Sequence, residues 1–274
     1  MTTTSRNPQR TSRRLDLSMP ALVTCDIDGT LLNTGEPVSP AVRAAVAEVL
    51  AAGHHVALAT GRSLVGALPV AAELGLDDAW IVASNGAVTA HVMGDDYEIS
   101  DLHVIEPEPV VRVAVEAMPG IRVAAELVGV GYRVNIPFPD GELNGDQHSV
   151  AALEELWADA TPRLALYRPG AFGLAPILRA MSLTVIETRP DWLDVTPPAL
   201  SKATALDKVR RHLGIEFHAT AAIGDGENDL EMLRWATRSI AMGHAPAHVR
   251  AVADRETGTI DEDGAAEALL SLLG

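Results

Sequence analysis

Two aspartates one residue apart, Asp26 and Asp28, follow the short apolar run Leu22-Val23-Thr24-Cys25, and Gly29 breaks the run directly after them. A β-branched apolar segment of this length reads as a buried parallel strand, which puts both carboxylates at its C-terminal end, where open α/β sheets bind ligands. Carboxylates this close repel each other unless a cation or a shared proton intervenes, and Mg²⁺ is the economical cation. The competing interpretation is an Asx-type turn, in which both aspartates only accept bonds from local backbone N–H groups. The choice turns on whether other strand ends supply a hydroxyl, a lysine and further carboxylates.

They do. His55 to Ala59 reads as a second buried strand and runs into Thr60-Gly61-Arg62, bringing a hydroxyl and a guanidinium to the same kind of edge. Trp80 to Ala83 is a third strand, ending in Ser84-Asn85-Gly86. Ser201-Lys202 opens a helix with Leu206, Val209 and Leu213 on one face and Gly214 after it. A cation in a first helical turn opposes the helix dipole by a few tenths to about 1 kcal/mol, so an anionic ligand beside Lys202 would account for its place; the alternative is an exposed surface lysine. Ala219 to Ile223 then runs into Gly224-Asp225-Gly226-Glu227-Asn228-Asp229. An N-capped helix with acids in its first turn explains Glu227 and Asp229 without chemistry, but leaves Asp225 between its two glycines unexplained. Asp26, Asp28, Thr60, Lys202 and Asp225 together read as phosphoryl transfer.

The elements that must hold these groups alternate between strand and helix. Ser39-Pro40 opens a helix with Val42, Val46, Val49 and Leu50 on one face and Gly53 at its end, and a second helix runs from about Ser63 to Leu74 with Pro69 as a kink. From about Ala87 to Arg189 the pattern changes to shorter strands (Arg122–Leu127, Tyr132–Ile136) and helices near Pro107–Met118, Ser149–Ala158 and Ala171–Met181. Alternation resumes at Leu193-Asp194-Val195. The expected organisation is an α/β core of residues 19–86 and 190–274, an inserted α/β domain of residues 87–189, and a disordered tail of residues 1–18.

With 274 residues, 47% of them hydrophobic, the chain can bury a large aliphatic core. A formal net charge of −16 disfavours nucleic acid and anionic membranes as partners, and no stretch of about 18 apolar residues exists to span a bilayer. The single cysteine, Cys25, excludes an intramolecular disulfide and lies within the first strand, where it reads as a buried inert thiol. The expectation is a cytoplasmic enzyme, with composition and charge leaving both monomer and dimer open.

In the order D-x-D-G-T-L, T-G-R, S-K and G-D-G-x-N-D, the chain resembles the haloacid dehalogenase superfamily of phosphatases, and the insertion resembles the α/β cap of its Cof-type subfamily, whose members mostly hydrolyse small phosphate esters such as sugar phosphates. The resemblance implies a Rossmann-like parallel-sheet core with an inserted cap and a small phosphorylated metabolite as substrate. It implies that Asp26 is the nucleophile forming an aspartyl-phosphate, and that Asp28 protonates the leaving oxygen and then deprotonates the attacking water. Asp28 would therefore keep a proton and bind Mg²⁺ only through its backbone carbonyl. Asp26 and Asp225 would be further metal ligands, with Asp229 and Asn228 as ligands, substrate contacts or supports of the ligands. Thr60, the Gly61 amide and Lys202 would hold phosphate oxygens, and Arg62 would do the same or face solvent. Two positions depart from the family: His244 stands where Asn is usual, in a loop near the acid cluster, and Ala203 stands where Gly is usual. Tyr132 and Arg133, on an expected cap strand, are candidates for substrate contact, or else pack between elements or face solvent. Other functions that the motifs admit are a phosphomutase using the same aspartates, a metal-dependent glycosyltransferase using D-x-D, and a non-catalytic regulator that binds sugar phosphates.

Overall fold

The computed structural model describes residues 19–273, so the expected tail, residues 1–18, lies outside the described residues. In chain order the strands are β1 (Leu22–Cys25), β2 (His55–Ala59), β3 (Asp78–Ala83), β4 (Val88–Met93), β5 (Asp96–Leu102), β6 (Arg122–Leu127), β7 (Gly131–Val134), β8 (Asp146–Ser149), β9 (Leu164–Tyr167), β10 (Thr184–Arg189), β11 (Trp192–Thr196), β12 (Thr220–Gly224), β13 (Arg238–Ala241) and β14 (Arg255–Glu256). Among the described residues they form an eight-stranded sheet, β14-β13-β12-β1-β2-β3-β4-β5, and a six-stranded sheet, β10-β11-β9-β6-β7-β8. Six strands of the larger sheet, β14 through β3, run parallel. This is the expected Rossmann-like α/β core. Its first strand lies between β12 and β2, so the chain order reverses beside β1, and the crevice beyond the strand ends opens where Asp26 and Asp28 stand.

The boundaries expected at residues 87 and 189 do not coincide with the sheets. The change of pattern after Gly86 marks a switch from parallel to antiparallel pairing: β4 and β5 extend the larger sheet as a hairpin turning at Gly94. At the other end β11, expected to resume the core, pairs antiparallel with β10 and β9 in the smaller sheet, so the chain returns to the larger sheet only with the helix that begins at Lys202.

Local signals set the helices. α1 (Pro40–Ala51) starts at Ser39, whose hydroxyl accepts the Val42 N–H at 3.1 Å, with Pro40 in the first turn where its missing N–H costs nothing. Among the helices that follow are α2 (Leu64–Glu73), α3 (Pro107–Ala117), α4 (Ala175–Ala180) and α5 (Lys202–His212). The helix expected over Ser149–Ala158 is a single 3₁₀ turn, Leu153–Trp157. Its first residues are pulled into a strand instead, with the Val150 N–H donating to Val134 O at 3.0 Å, and tertiary pairing overrides helix propensity. Strand β7 stops at Val134 because the Asn135 amide takes over the pairing, accepting from Val123 N and donating to Ile121 O.

Helices cover both faces of the larger sheet, α1 and α2 on one and α5 on the other, and α3 covers the smaller. Val23, Leu58, Ile81 and Ile223 on adjacent core strands are fully buried, each contributing about 1.5–3 kcal/mol, which fixes the strand ends that carry the polar groups. No helix among the described residues is long and apolar enough to cross a membrane.

Candidate active site

The C-terminal ends of β1, β2, β3 and β12 meet at a cleft of about 460 Å³, whose opposite wall comes from the smaller sheet, and the start of α5 is buried against Asp26. Ser201 caps α5, and Lys202, first in the helix, is 0% exposed. Its Nζ lies 2.5 Å from Asp26 Oδ1 and 2.6 Å from Asp229 Oδ1. Lys202 is therefore not the exposed surface lysine that its sequence position also admits, and the carboxylates of Asp26 and Asp229 supply anions that account for a lysine at a helix start. Burial disfavours the ammonium, but the charges of Asp229 and Asp26 outweigh it and raise Lys202, keeping it charged.

Asp229 has both oxygens engaged, since its Oδ2 accepts the Asp225 and Gly226 amides at 2.9 Å each. It is at once the helix-start acid and the partner of Lys202. Asp26, Asp225 and Asp229 present carboxylate oxygens within 4.8 Å of one another. One oxygen of Asp26 is taken by Lys202 and one of Asp225 by the Thr30 hydroxyl at 3.1 Å. Burial, then the charge of Asp229, raises Asp26 well above the usual carboxylate range against the pull of Lys202, and the same two causes push Asp225 up to about 6. Three carboxylates facing one ammonium leave the cluster short of positive charge, and an all-oxygen donor set with that deficit fits a hard divalent cation. Close packing fixes the cluster: Gly29 has φ +78, and a Cβ there would lie 2.5 Å from Asp225 Oδ2.

Asp28 departs from expectation. Its carboxylate is bound by Arg62, Nε to Oδ2 at 2.7 Å and Nη2 to Oδ1 at 2.6 Å, and also accepts from the Thr34 hydroxyl at 2.7 Å. Burial raises its pKa, but the Arg62 hydrogen bonds and charge, with help from Thr34 and Lys202, outweigh that and hold the carboxyl below its ordinary value. This pairing favours the ionised carboxyl over the expected resident proton, and it holds Arg62 on Asp28 rather than in solvent. Thr60 Oγ1 accepts the Arg62 N–H at 3.0 Å, keeping its own proton available as a donor. Asn228 Nδ2 donates to Asn85 Oδ1 at 3.0 Å.

From the smaller sheet, Arg163 enters the cleft wall fully buried. It donates to Gly61 O at 2.6 Å, to Glu126 at 3.1 Å, to Asp194 at 3.4 Å and to the Tyr132 hydroxyl, while Ser84 Oγ donates to Glu126 at 2.7 Å. Burial pushes the Tyr132 phenol up to about 12 and so keeps it neutral. Tyr132 lines the cleft, but Arg133, next on the strand, points the other way and pairs with Asp159 at 2.7 Å, as period-two alternation requires. Arg163, Glu126 and Asp194 escaped sequence reasoning because no local spacing marks them; Asn85 lay in plain sight at the end of β3.

His244 does lie beside the acid cluster, its Nδ1 accepting the Ile260 N–H at 3.3 Å and its Nε2 3.8 Å from Asp225 Oδ2. Ala203 sits in the first turn of α5. Glu227 pairs with His248, both half-exposed. Cys25 is a buried thiol pushed up to about 12 by burial and by Asp26, which agrees with an inert role.

A family model described as haloacid dehalogenase-like hydrolase matches residues 23–114 and 175–269, more than half of the chain. The putative phosphatase YkrA of Bacillus subtilis is 29% identical over 92% of this chain and 97% of its own length. A chloroplastic endoribonuclease YBEY of Arabidopsis thaliana is 26% identical over 89% of this chain, which spans only 45% of that protein. The solved structure of BT4131, described as a subclass IIB sugar phosphatase, superposes with a TM-score of 0.78 at 26% identity, covering 92% of this chain and 98% of that one.

Proposed function

Because this chain belongs to the haloacid dehalogenase-like hydrolases, we propose that it is a Mg²⁺-dependent, Cof-type phosphatase that hydrolyses a small phosphate monoester, a sugar phosphate or related cytoplasmic metabolite, through an aspartyl-phosphate on Asp26. The observation that carries the proposal is the buried Lys202 ammonium holding Asp26 within a cluster of three carboxylates at the sheet's ligand-binding edge. The phosphatase names of the relatives support it.

In this reading Asp26 Oδ2 attacks phosphorus and the ester oxygen leaves with a proton from Asp28. Asp28 then takes a proton from water, whose oxygen attacks the phosphoryl-enzyme and releases phosphate and free Asp26. Lys202 orients the nucleophile and favours its ionised form, and the Thr60 hydroxyl and Gly61 amide donate to phosphoryl oxygens where charge accumulates. Asp26 and Asp225, with the Asp28 backbone carbonyl and with Asp229 in support, would hold Mg²⁺, which when bound offsets the repulsion between nucleophile and phosphate. The arriving phosphate dianion competes for Arg62, releasing the Asp28 carboxylate to take up its working proton. The unit from the end of β5 to the start of α5 serves as the cap, excluding water and meeting the leaving group.

Chelation tests the metal requirement. With EDTA, hydrolysis of an aryl phosphate falls to background, Mg²⁺ restores it, and Ca²⁺, larger and loosely coordinated, does not; full turnover in EDTA would overturn the reading. Arg62→Met tests the role of Asp28. Since Arg62 holds the Asp28 pKa down in the free enzyme, its removal raises that pKa, and the alkaline limb of the kcat/KM profile, where Asp28 must carry the proton that it gives to the leaving oxygen, moves to higher pH. A profile superimposable on the parent's would separate Arg62 from the proton transfers.

A further inference from the structure

Asn85 is 3% exposed, yet among the described residues its Nδ2 has no hydrogen-bond partner. An orphaned amide N–H at the edge of a polar cleft is costly unless a ligand completes it. The backbone that carries it is costly too: Ser84, Asn85 and Gly86 take φ values of +49, +56 and +103 in succession. That turn is pinned by the Ser84 amide on Arg62 O and the Asn85 amide on Thr60 O, so it is built against the Thr60-Gly61-Arg62 loop. The void left by the missing Gly61 side chain faces it. An atom at the position of a Gly61 Cβ would lie 3.4 Å from Asn85 Nδ2 and 3.5 Å from Asn228 Nδ2, with Asn85 Oδ1, also at 3.4 Å, already engaged by Asn228.

We propose that Asn85, with Asn228, forms a two-amide cradle over Gly61 that binds one oxygen of the phosphoryl group. The inference rests on the proposed phosphatase reading and adds to it a residue, Asn85, and the point at which it touches the substrate. Two neutral donors converging on one small void suit an anionic oxygen that is delivered with the substrate and departs as inorganic phosphate.

The test is the binding of inorganic phosphate to the full chain with Mg²⁺, by calorimetry and as inhibition of aryl phosphate hydrolysis. Asn85→Gly removes the amide while accepting φ +56 without strain, so the protein still folds, with a midpoint lowered at most slightly by the lost Asn228 hydrogen bond, while phosphate affinity falls about 10- to 100-fold, the scale of a lost hydrogen bond to a charged acceptor. Gly61→Ala, at a position without positive φ and with only ordinary contacts at 3.4 Å, folds and weakens phosphate comparably by filling the void. Should Asn85→Gly fold poorly, Asn85→Asp, isosteric and tolerant of the same backbone, must weaken phosphate at least as strongly, because it sets a carboxylate against the anion. Parent-like phosphate affinity in Asn85→Gly or Asn85→Asp overturns the cradle, as does a loss in either that merely follows a lowered midpoint while Gly61→Ala binds normally. Turnover by Asp26→Asn, measured alongside, reports on the phosphatase reading separately: a dead Asp26→Asn beside a phosphate-tight Asn85→Gly sinks the cradle alone.

Discussion

Asp26→Asn is expected to reduce turnover by roughly 10⁴-fold or more, the scale on which removal of a covalent nucleophile acts, because an amide cannot form the phosphoryl intermediate. The same change leaves the fold intact. Burial and the charges of Asp229 and Asp225 already press the Asp26 carboxyl toward its neutral form, so a neutral amide of the same shape relieves repulsion, while its oxygen still accepts from Lys202. Aryl phosphate hydrolysis and thermal unfolding, measured on the same preparation, check both halves. Substantial turnover in a well-folded Asp26→Asn protein would remove Asp26 from the chemistry.

Lys202→Met has the largest expected effect on stability. The methionine fills the volume of the side chain, but the buried carboxylates of Asp26 and Asp229 lose their shared cation, and breaking a buried pair from one side costs about 3–5 kcal/mol. The sign of its pH dependence follows from the charges. The Lys202 pKa is raised on folding, so its contribution is fully present below the unfolded lysine's pKa and is lost only as pH rises through the higher folded value. In the methionine variant the stranded carboxylates can become neutral by taking up protons, so the deficit is greatest near neutral pH and shrinks toward pH 5. Urea unfolding at the two pH values measures it, and an equal deficit at both would mean that the loss is packing alone.

The candidate edge was legible in the sequence because each of its groups follows a strong local signal: a β-branched run before Asp26, another before Thr60, a capped helix start at Lys202, and glycines around Asp225. What sequence could not reveal was which of these groups spend their charge on one another. Arg62 and Asp28 are 34 residues apart and Lys202 and Asp26 are 176 apart, and no spacing rule relates such pairs. The insertion's limits were hidden for a different reason. Strand β4 reads as a break in alternation although it continues the sheet, and β11 reads as a core strand although its partners are β9 and β10. Antiparallel pairing at the edge of a parallel sheet leaves a periodicity that belongs equally to either unit.

The Arg163–Gly61 bond bears on how such a protein can change over generations. Gly61 belongs to the core loop proposed to receive phosphate, yet its carbonyl is satisfied by a guanidinium from the inserted unit, and the Ser84 hydroxyl likewise gives its proton to Glu126 of that unit. The insertion is therefore not an interchangeable module. A foreign insertion grafted between β5 and α5 leaves the Gly61 carbonyl and the Ser84 hydroxyl without these partners unless it brings an arginine and an acid to the same two places. Lineages that diversify their substrates by altering this unit are held to that pair of contacts, while the rest of its surface over the cleft remains free to vary.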